Sequence, residues 1–126
     1  MTEVPTLVMV IDDDPDCLEA LSDALALRGY RVVTAINGCE ALVALETGPK
    51  PALILLDLMM PVMDGWRFLD ERNRRPSLTA IPVALLSGER DLDQRARGLG
   101  VAKTIQKPVG LDALLSAVQQ LVGGPS

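Results

Sequence analysis

This chain of 126 residues contains no histidine. It contains only three aromatic residues, Tyr30, Trp66 and Phe68. The lack of histidine removes the commonest general base and the commonest metal ligand of proteins. Any chemistry must therefore use carboxylates, hydroxyls and lysine.

Cysteine, positive charge and long apolar runs are also scarce. Cys17 and Cys39 are too few for a disulfide framework, so we expect both to be reduced and the chain to be cytoplasmic. Seventeen acidic against twelve basic residues give a net charge of −5, which repels nucleic acids and anionic lipids. The first apolar run, Leu7–Ile11, follows Glu3 and is too short for a signal peptide or a membrane span. We expect no direct nucleic-acid partner and no membrane.

What the chain does contain is the composition of one globular domain, with 48% hydrophobic and 23% charged residues. Short apolar runs alternate with segments of helical period, which is typical of parallel strands joined by crossover helices. The predicted strands are Leu7–Ile11, Arg31–Thr34, Ala52–Leu56, Val83–Ser87 and Lys103–Gln106. Most are apolar on both faces, as in a sheet covered by helices on both sides. The pattern predicts an α/β fold, a single doubly wound (βα)5 domain with a five-stranded parallel sheet.

Five helices are predicted from apolar spacing and boundary residues. The first has Asp14 as its N-cap, Pro15 at its first position and Gly29 as its stop. The others run from about Gly38 to Glu46, from Asp64-Gly65 to before Pro76, from about Asp91 to Leu99, and from Leu111 to Leu121. Residues 1–122 are thus expected to form the domain, and residues 123–126 a short flexible tail.

Acidic residues follow two of the predicted strands. Asp12 and Asp13 follow the first strand and Asp57 follows the third, and ligands of such sheets bind at the carboxyl ends of the strands. If these strands are neighbours, the carboxylates converge, and two of them about 4 Å apart repel by roughly 4 kcal/mol at an effective dielectric constant of 20. A hard divalent cation such as Mg²⁺ offsets this repulsion. Asp14 is better explained as a helix cap.

The ends of the last two strands add a hydroxyl and a cation. Ser87 ends the fourth strand, and Lys107 follows the fifth. A lysine pairs with phosphoryl oxygens, and a small hydroxyl donates hydrogen bonds to them. Together with carboxylates and a metal, these groups indicate phosphoryl transfer onto an aspartate. Asp57 is the best acceptor, because it stands alone at its strand end.

Four motifs at these strand ends resemble one family. They are V-M-V-I-D-D-D-P from Val8, L-I-L-L-D-L-M-M-P-V-M-D-G from Leu53, V-A-L-L-S-G from Val83 and Q-K-P from Gln106. In that order they resemble the receiver domain of two-component response regulators, the CheY-like family. The resemblance covers nearly the whole chain. It implies a flavodoxin-like strand order of 2-1-3-4-5 and transfer of a phosphoryl group from a phosphohistidine of a sensor histidine kinase or a histidine phosphotransfer protein.

The resemblance also implies individual roles. Asp57 would be the phosphoacceptor, Ser87 the switch hydroxyl and Lys107 the phosphate-binding lysine, with a cis bond to Pro108. The implied Mg²⁺ ligands are three carboxylates and one backbone carbonyl: Asp12, Asp13, Asp57 and the carbonyl of Met59. Two positions depart from the family pattern. The apolar Met59 stands two residues beyond the acceptor, and Thr104 stands where an aromatic residue usually changes rotamer. Any switch must then use smaller movements of the fifth strand and fourth predicted helix.

The leading hypothesis is a stand-alone receiver, a monomer or weak dimer. We expect it to act on an unknown protein target through the face of the fourth predicted helix, fifth strand and fifth predicted helix. It would not be an enzyme beyond self-phosphorylation from a phosphodonor and slow autodephosphorylation. Alternatively, the chain is a phosphorelay intermediate or a receiver fragment of a hybrid kinase.

Three other classes remain as competitors. Asp12 and Asp14 resemble the D-x-D motif of haloacid-dehalogenase-type phosphatases, but Asp16 stands where that family has a hydroxyl or a valine, and the chain is short for that core. An interaction module with an inactive site would leave the acidic, hydroxyl and lysine set without a role. A flavin-binding domain is disfavoured, because three aspartates occupy the loop in which a phosphate needs hydroxyls and amides.

Overall fold

Five parallel strands form one sheet, in the order β2-β1-β3-β4-β5. The computed structural model describes residues 6–57, 65–88, 93–107 and 110–122. The strands are β1 (Leu7–Ile11), β2 (Arg31–Ala35), β3 (Leu53–Asp57), β4 (Val83–Ser87) and β5 (Lys103–Gln106). The helices are α1 (Pro15–Leu27), α2 (Gly38–Thr47), α3 (Gly65–Asn73), α4 (Pro76–Thr79), α5 (Asp93–Gly98) and α6 (Leu111–Val122). The expected doubly wound α/β architecture and its strand order are confirmed.

Helices cover both faces of the sheet, because the side chains of each strand alternate between them. On one face, Met9 and Ile11 of β1 pack in a core with residues of α2, α3 and α5. On the other, Val8 and Val10 pack with residues of α1 and α6. The central strand β3 is buried along its whole length, as its run of apolar residues predicts.

Local signals explain where the helices next to the site begin and end. The Asp14 side chain accepts a hydrogen bond from the backbone N–H of Asp16 at 3.0 Å, so Asp14 is the N-cap of α1. Pro15 occupies the first turn, and Gly29 adopts a positive φ of 91° directly after the helix. The predicted boundaries of α1 are therefore confirmed, and they place the N-terminus of α1 beside the end of β1.

The observed elements differ from the predicted ones at several boundaries. β2 ends at Ala35, one residue later than predicted, and α5 ends at Gly98, one residue earlier. β3 begins and ends one residue later than predicted, so Asp57 is the last residue of the strand and does not follow it. The segment after α3 contains an additional single helical turn, α4, which starts at Pro76. The fourth and fifth predicted helices correspond to α5 and α6. The predicted tail of residues 123–126 lies outside the described residues.

No helix in the described part of the chain is long and apolar enough to cross a membrane.

Candidate functional site

Three aspartates meet at the carboxyl end of the sheet. β1 and β3 are hydrogen-bonded neighbours, which brings Asp12, directly after β1, close to Asp57 at the end of β3. One carboxylate oxygen from each of Asp12, Asp13 and Asp57 lies within 4.8 Å of the others. Asp12 and Asp57 are 2% and 4% exposed, whereas Asp13 is exposed. The structure therefore brings together the acidic residues that the sequence singled out.

Asp12 is held in place through its backbone and its side chain. Its N–H donates to the carbonyl of Ala35 at 3.1 Å, and its Oδ1 accepts the backbone N–H of Asp14 at 3.0 Å. Burial raises the pKa of Asp12, and repulsion from Asp57 and Asp13 adds to this, although the hydrogen bond from Asp14 opposes it. A negative charge at this position thus needs a positive partner.

Lys107 supplies one positive charge to the site. Its Nζ lies 2.7 Å from Oδ1 of Asp57, although fifty residues separate the two in the chain. Its backbone N–H donates to the carbonyl of Ser87 at 2.8 Å, which fixes the end of β5 against the end of β4. Burial lowers the pKa of Lys107, but the hydrogen bond and the attraction to Asp57 outweigh it and raise that pKa overall.

Ser87 completes the set at the end of β4. The register of β3 and β4 pairs Asp57 with Leu86, so Ser87 stands one residue beyond the level of Asp57 on the neighbouring strand. Ser87 is 5% exposed, so it is buried at the carboxyl end of the sheet. Asp57, Ser87 and Lys107 thus come from three adjacent strands.

The carboxylates fit a magnesium ion. Mg²⁺ takes oxygen ligands and is bound in proteins through one or two carboxylates, with waters in the remaining positions. The three carboxylates offer oxygens within 4.8 Å of one another, and burial disfavours the charged form of Asp12 until a positive partner is present. The predicted backbone ligand Met59 and the predicted cis bond to Pro108 lie outside the described residues.

Asp14 belongs to the helix and not to the acidic cluster. One of its oxygens accepts from the backbone N–H of Asp16, and the other accepts a hydrogen bond from Sγ of Cys17 at 3.3 Å. These bonds, the one from Cys17 first, lower the pKa of Asp14. Both oxygens of Asp14 thus accept hydrogen bonds from the first turn of α1, which argues against the phosphatase alternative, in which Asp14 is the acid.

A cavity beside Lys107 was not predicted from the sequence. The cavity has a volume of about 390 Å³ and lies between α1 and α6. Apolar residues such as Leu21 and Leu111 line it. Leu111 is 47% exposed. The signal for it in the sequence is an apolar residue, Leu111, at the first position of the last helix.

Comparison with known proteins connects this geometry to a family. The model of the response regulator receiver domain matches residues 8–119. The transcriptional regulatory protein KdpE of Mycobacterium tuberculosis is 40% identical over 119 residues, which cover 93% of this chain and 51% of that protein. PrrA of Mycobacterium leprae is 40% identical over 117 residues, covering 91% of this chain and 49% of that protein. The chain spans about half the length of these curated relatives.

Solved structures agree with the sequence comparison. The chemotaxis protein CheY4 of Vibrio cholerae has a TM-score of 0.87 at 27% identity, covering 94% of this chain and 99% of that one. The receiver domain of a signal transduction histidine kinase from Syntrophus aciditrophicus has a TM-score of 0.83 at 32% identity, covering 94% and 90%. Because the family model matches residues 8–119 and the solved receiver structures share the fold, the chain belongs to the response regulator receiver domain family.

Proposed function

We propose that this receiver domain accepts a phosphoryl group on Asp57 from a histidine kinase or a histidine phosphotransfer protein, in a reaction that depends on Mg²⁺. One observation carries the proposal. A buried carboxylate ends the central strand, two further carboxylates have oxygens within 4.8 Å of it, and a lysine ammonium lies 2.7 Å from it. This combination suits the capture of a group whose oxygens are strongly negative.

The transfer would use Asp57 as the nucleophile. Lys107 holds Oδ1 of Asp57, which leaves Oδ2 to attack the phosphorus of the partner's phosphohistidine. The new O–P bond forms as the P–N bond breaks, and the electron pair of that bond returns to the imidazole nitrogen, which takes up a proton from solvent. These 126 residues contain no histidine, so the donor histidine would lie outside this domain.

The neighbouring side chains would stabilise the transferred group. Asp12, Asp13 and Asp57 would hold the metal ion, with the carbonyl of Met59 as a further ligand implied by the family. When bound, Mg²⁺ neutralises charge on the phosphoryl oxygens. Lys107 exchanges its contact with the carboxylate for one with a phosphoryl oxygen, and the Ser87 hydroxyl donates to another. Ser87 and Lys107 would move together with the ends of β4 and β5.

The signal would leave through a protein-binding surface formed by α5, β5 and α6. β5 adjoins Ser87 and leads directly into Lys107, and α5 and α6 precede and follow β5 in the chain, so a shift at the phosphorylated site would reach this face through β5. We place this domain in the cytoplasm, without enzymatic turnover beyond self-phosphorylation and slow autodephosphorylation. The relatives are about twice as long as this chain. The receiver could therefore serve in a complete regulator, as an intermediate of a phosphorelay, or within a hybrid kinase.

The test is phosphorylation by a small donor. The protein is incubated with acetyl phosphate, with MgCl₂ or with EDTA, and the modified residue is located by mass spectrometry. We expect one phosphoryl group on Asp57, formed with Mg²⁺ and lost in Asp57→Ala. Asp23→Ala is the matched control, because Asp23 is an exposed carboxylate on α1 away from the site.

Two results would contradict the proposal. The first is that wild type is not phosphorylated under any condition, although wild type and Asp57→Ala both give the spectrum of the folded protein. The second is continuous hydrolysis of a small phosphoester that is abolished by Asp12→Ala but not by Asp57→Ala. That second pattern would support the haloacid-dehalogenase-type phosphatase instead.

A further inference from the structure

β2 forms one edge of the sheet, and its outer side carries open backbone groups. Among the described residues, β1 is the one strand that pairs with it. The N–H of Arg31 donates to the residue just before β1, and the carbonyl of Ala35 accepts from the residue just after it. Because alternate residues of a parallel strand bond to the same neighbour, the N–H and C=O groups of Val32 and Thr34 point away from the sheet.

The centre of β2 lacks the usual protection of an edge strand. Natural edge strands are commonly protected by charged residues, by proline or by bulges. After Arg31, the strand continues with Val32, Val33, Thr34 and Ala35, all of them uncharged, and its register with β1 has no interruption. Valine and threonine also favour the extended conformation. The edge is therefore suited to pairing with a further strand.

Apolar surface surrounds this edge. A cavity of about 410 Å³ lies between β2 and α2, with Val33 on the side of the strand and Ala44 and Thr47 on the side of the helix. Ile36, which directly follows β2, is 53% exposed, and Val43 of α2 is 61% exposed. Burial of such side chains against a partner is favourable. The edge thus offers apolar surface as well as hydrogen-bonding groups.

We propose that two copies of this chain associate through β2, in antiparallel pairing about a two-fold axis at Val33. Val32 of each copy then lies opposite Thr34 of the other, and each such pair exchanges both of its N–H···O bonds. The open backbone groups of the two copies thus satisfy one another. Because each copy has one β2, the junction closes at a dimer and joins the two sheets into one.

The same register brings opposite charges together. Arg31 is exposed and lies opposite Ala35 of the second copy, which Ile36 follows directly. The Glu40 side chain accepts the N–H of Ile36 at 3.3 Å, so its carboxylate is held next to the end of β2. Arg31 also lines the cavity together with residues of α2, and so lies on the face of the sheet that carries Glu40. Arg31 of each copy therefore comes within reach of Glu40 of the other.

A second copy fits this edge better than an unrelated extended peptide. Any added strand would form backbone bonds with the open groups of β2. A copy of this chain also supplies the carboxylate of Glu40 for Arg31 and the exposed side chain of Ile36 near the cavity. The interface contains none of the carboxylates of the acidic cluster, so the dimer does not depend on phosphorylation of Asp57.

Sedimentation velocity over a range of protein concentrations tests the dimer. We expect wild type to dimerise reversibly at concentrations up to about 1 mM. Arg31→Glu and Glu40→Arg should each weaken the dimer about tenfold or more, because the charge pairs become repulsive. The double variant Arg31→Glu/Glu40→Arg should recover most of the affinity. Thr34→Pro should also weaken the dimer, because it removes an N–H that points away from β1.

Lys103→Glu is the matched control, because it reverses an exposed charge on the opposite edge strand, β5. We expect it to leave the dimer unchanged. Circular dichroism reports whether each variant is folded. The charge variants keep the inference testable if Thr34→Pro does not fold.

Disulfide trapping tests the register of the two strands. In a background in which Cys17 and Cys39 are replaced by alanine, Val33→Cys places two thiols opposite each other at the two-fold axis. Antiparallel pairs without hydrogen bonds have Cα atoms about 4.5 Å apart, a distance that a disulfide spans. Val32→Cys is the matched control, because Val32 lies opposite Thr34 and not opposite itself. Under mild oxidation we expect covalent dimers of the first variant and far fewer of the second.

Several outcomes would overturn the inference. They are a wild type that stays monomeric up to about 1 mM, a dimer that Arg31→Glu leaves unchanged, and charge reversals that the double variant fails to rescue. Equal cross-linking of Val33→Cys and Val32→Cys would do the same. A dimer that Lys103→Glu dissociates would assign the contact to the β5 edge instead. Phosphorylation of Asp57 is measured separately, so its failure contradicts the proposed function and leaves the dimer standing.

Discussion

Asp12 and Asp13 are neighbours in the chain, yet their surroundings differ sharply. Asp12 is almost fully buried behind β1, and Asp13 faces solvent. Burial raises the pKa of Asp12, which means that its ionised form destabilises the folded protein relative to the unfolded chain. The unfolded chain ionises first as the pH rises, so stability is lost between the ordinary carboxyl pKa and the raised folded pKa.

Asp12→Asn should therefore stabilise the metal-free protein. The asparagine keeps an oxygen that can accept the N–H of Asp14 and removes the buried charge. In urea unfolding with EDTA, we expect a higher free energy of unfolding than wild type at pH 7, and no difference from this charge below about pH 3.9, where the unfolded carboxyl is protonated. Asp13→Asn is the control, because it removes a charge at an exposed position. Comparison of the two variants separates the effect of burial from the effect of losing a charge. A decrease in stability at pH 7 would contradict the prediction.

Arg72 is a buried charged residue outside the acidic cluster, and it has a structural role. Its guanidinium is 3% exposed and donates to the carbonyls of Thr79, at 3.0 Å, and of Ile81. Among the described residues it has no ion pair, and burial lowers its pKa. The hydrogen bonds of Arg72 therefore hold the turn α4 and the segment before β4 against the end of α3.

Arg72→Met should destabilise the fold. Two buried carbonyls would lose their donors, at about 1–3 kcal/mol each, and relief of the buried charge would offset part of this cost. We expect a net loss of about 2 kcal/mol in urea unfolding. Arg74→Met is the matched control, since Arg74 is 75% exposed in a surface pair with Glu71, and should change stability by less than about 0.5 kcal/mol. Equal effects of the two variants would refute the assigned role.

At the scale of elements, helix caps determine where the chain turns away from the sheet. Asn37 is the N-cap of α2, and its Oδ1 accepts the N–H of Glu40 at 2.8 Å. In return, the Glu40 side chain accepts the N–H of Ile36 at 3.3 Å. This pair of bonds resembles a capping box and fixes the connection from β2 to α2.

Asn37→Ala should lower the free energy of unfolding by about 1 kcal/mol, because it removes the side-chain cap. Since α2 contributes no residue to the acidic cluster, phosphorylation of Asp57 should be unchanged. Cys39→Ala, an exposed change in the same first turn, should have little effect on either measurement. A loss of phosphorylation in Asn37→Ala, at a temperature where it remains folded, would contradict this separation.

For the whole molecule, the acidic cluster couples metal binding to stability. A ligand that binds only the folded state stabilises it by RT ln(1 + [L]/Kd), or about 1.4 kcal/mol at ten times Kd. We expect MgCl₂ to raise the melting temperature more than NaCl of equal ionic strength does. The extra rise should shrink in Asp13→Asn and persist in Asp23→Asn. Identical effects of the two salts on wild type would argue against a specific site.

Much of the fold was predictable because its signals are local. A run of apolar residues such as Leu53–Leu56 has few alternatives to a buried strand, and Asp14-Pro15 marks a helix start by the chemistry of two adjacent residues. The turn α4 was missed because four residues are too few to show a helical period. The end of β3 was missed by one residue, because a terminal aspartate does not look like part of a strand.

The sequence by itself determined the order of the elements and the residue types at each strand end, because apolar period and capping act over a few residues. Only the tertiary structure decided which carboxylate is buried and how Lys107 reaches Asp57. It also decided that Thr104 lies on the edge strand β5, in register with the buried Leu85 of β4. These properties depend on strands that are distant in sequence and adjacent in the sheet, and burial and distance arise from that packing.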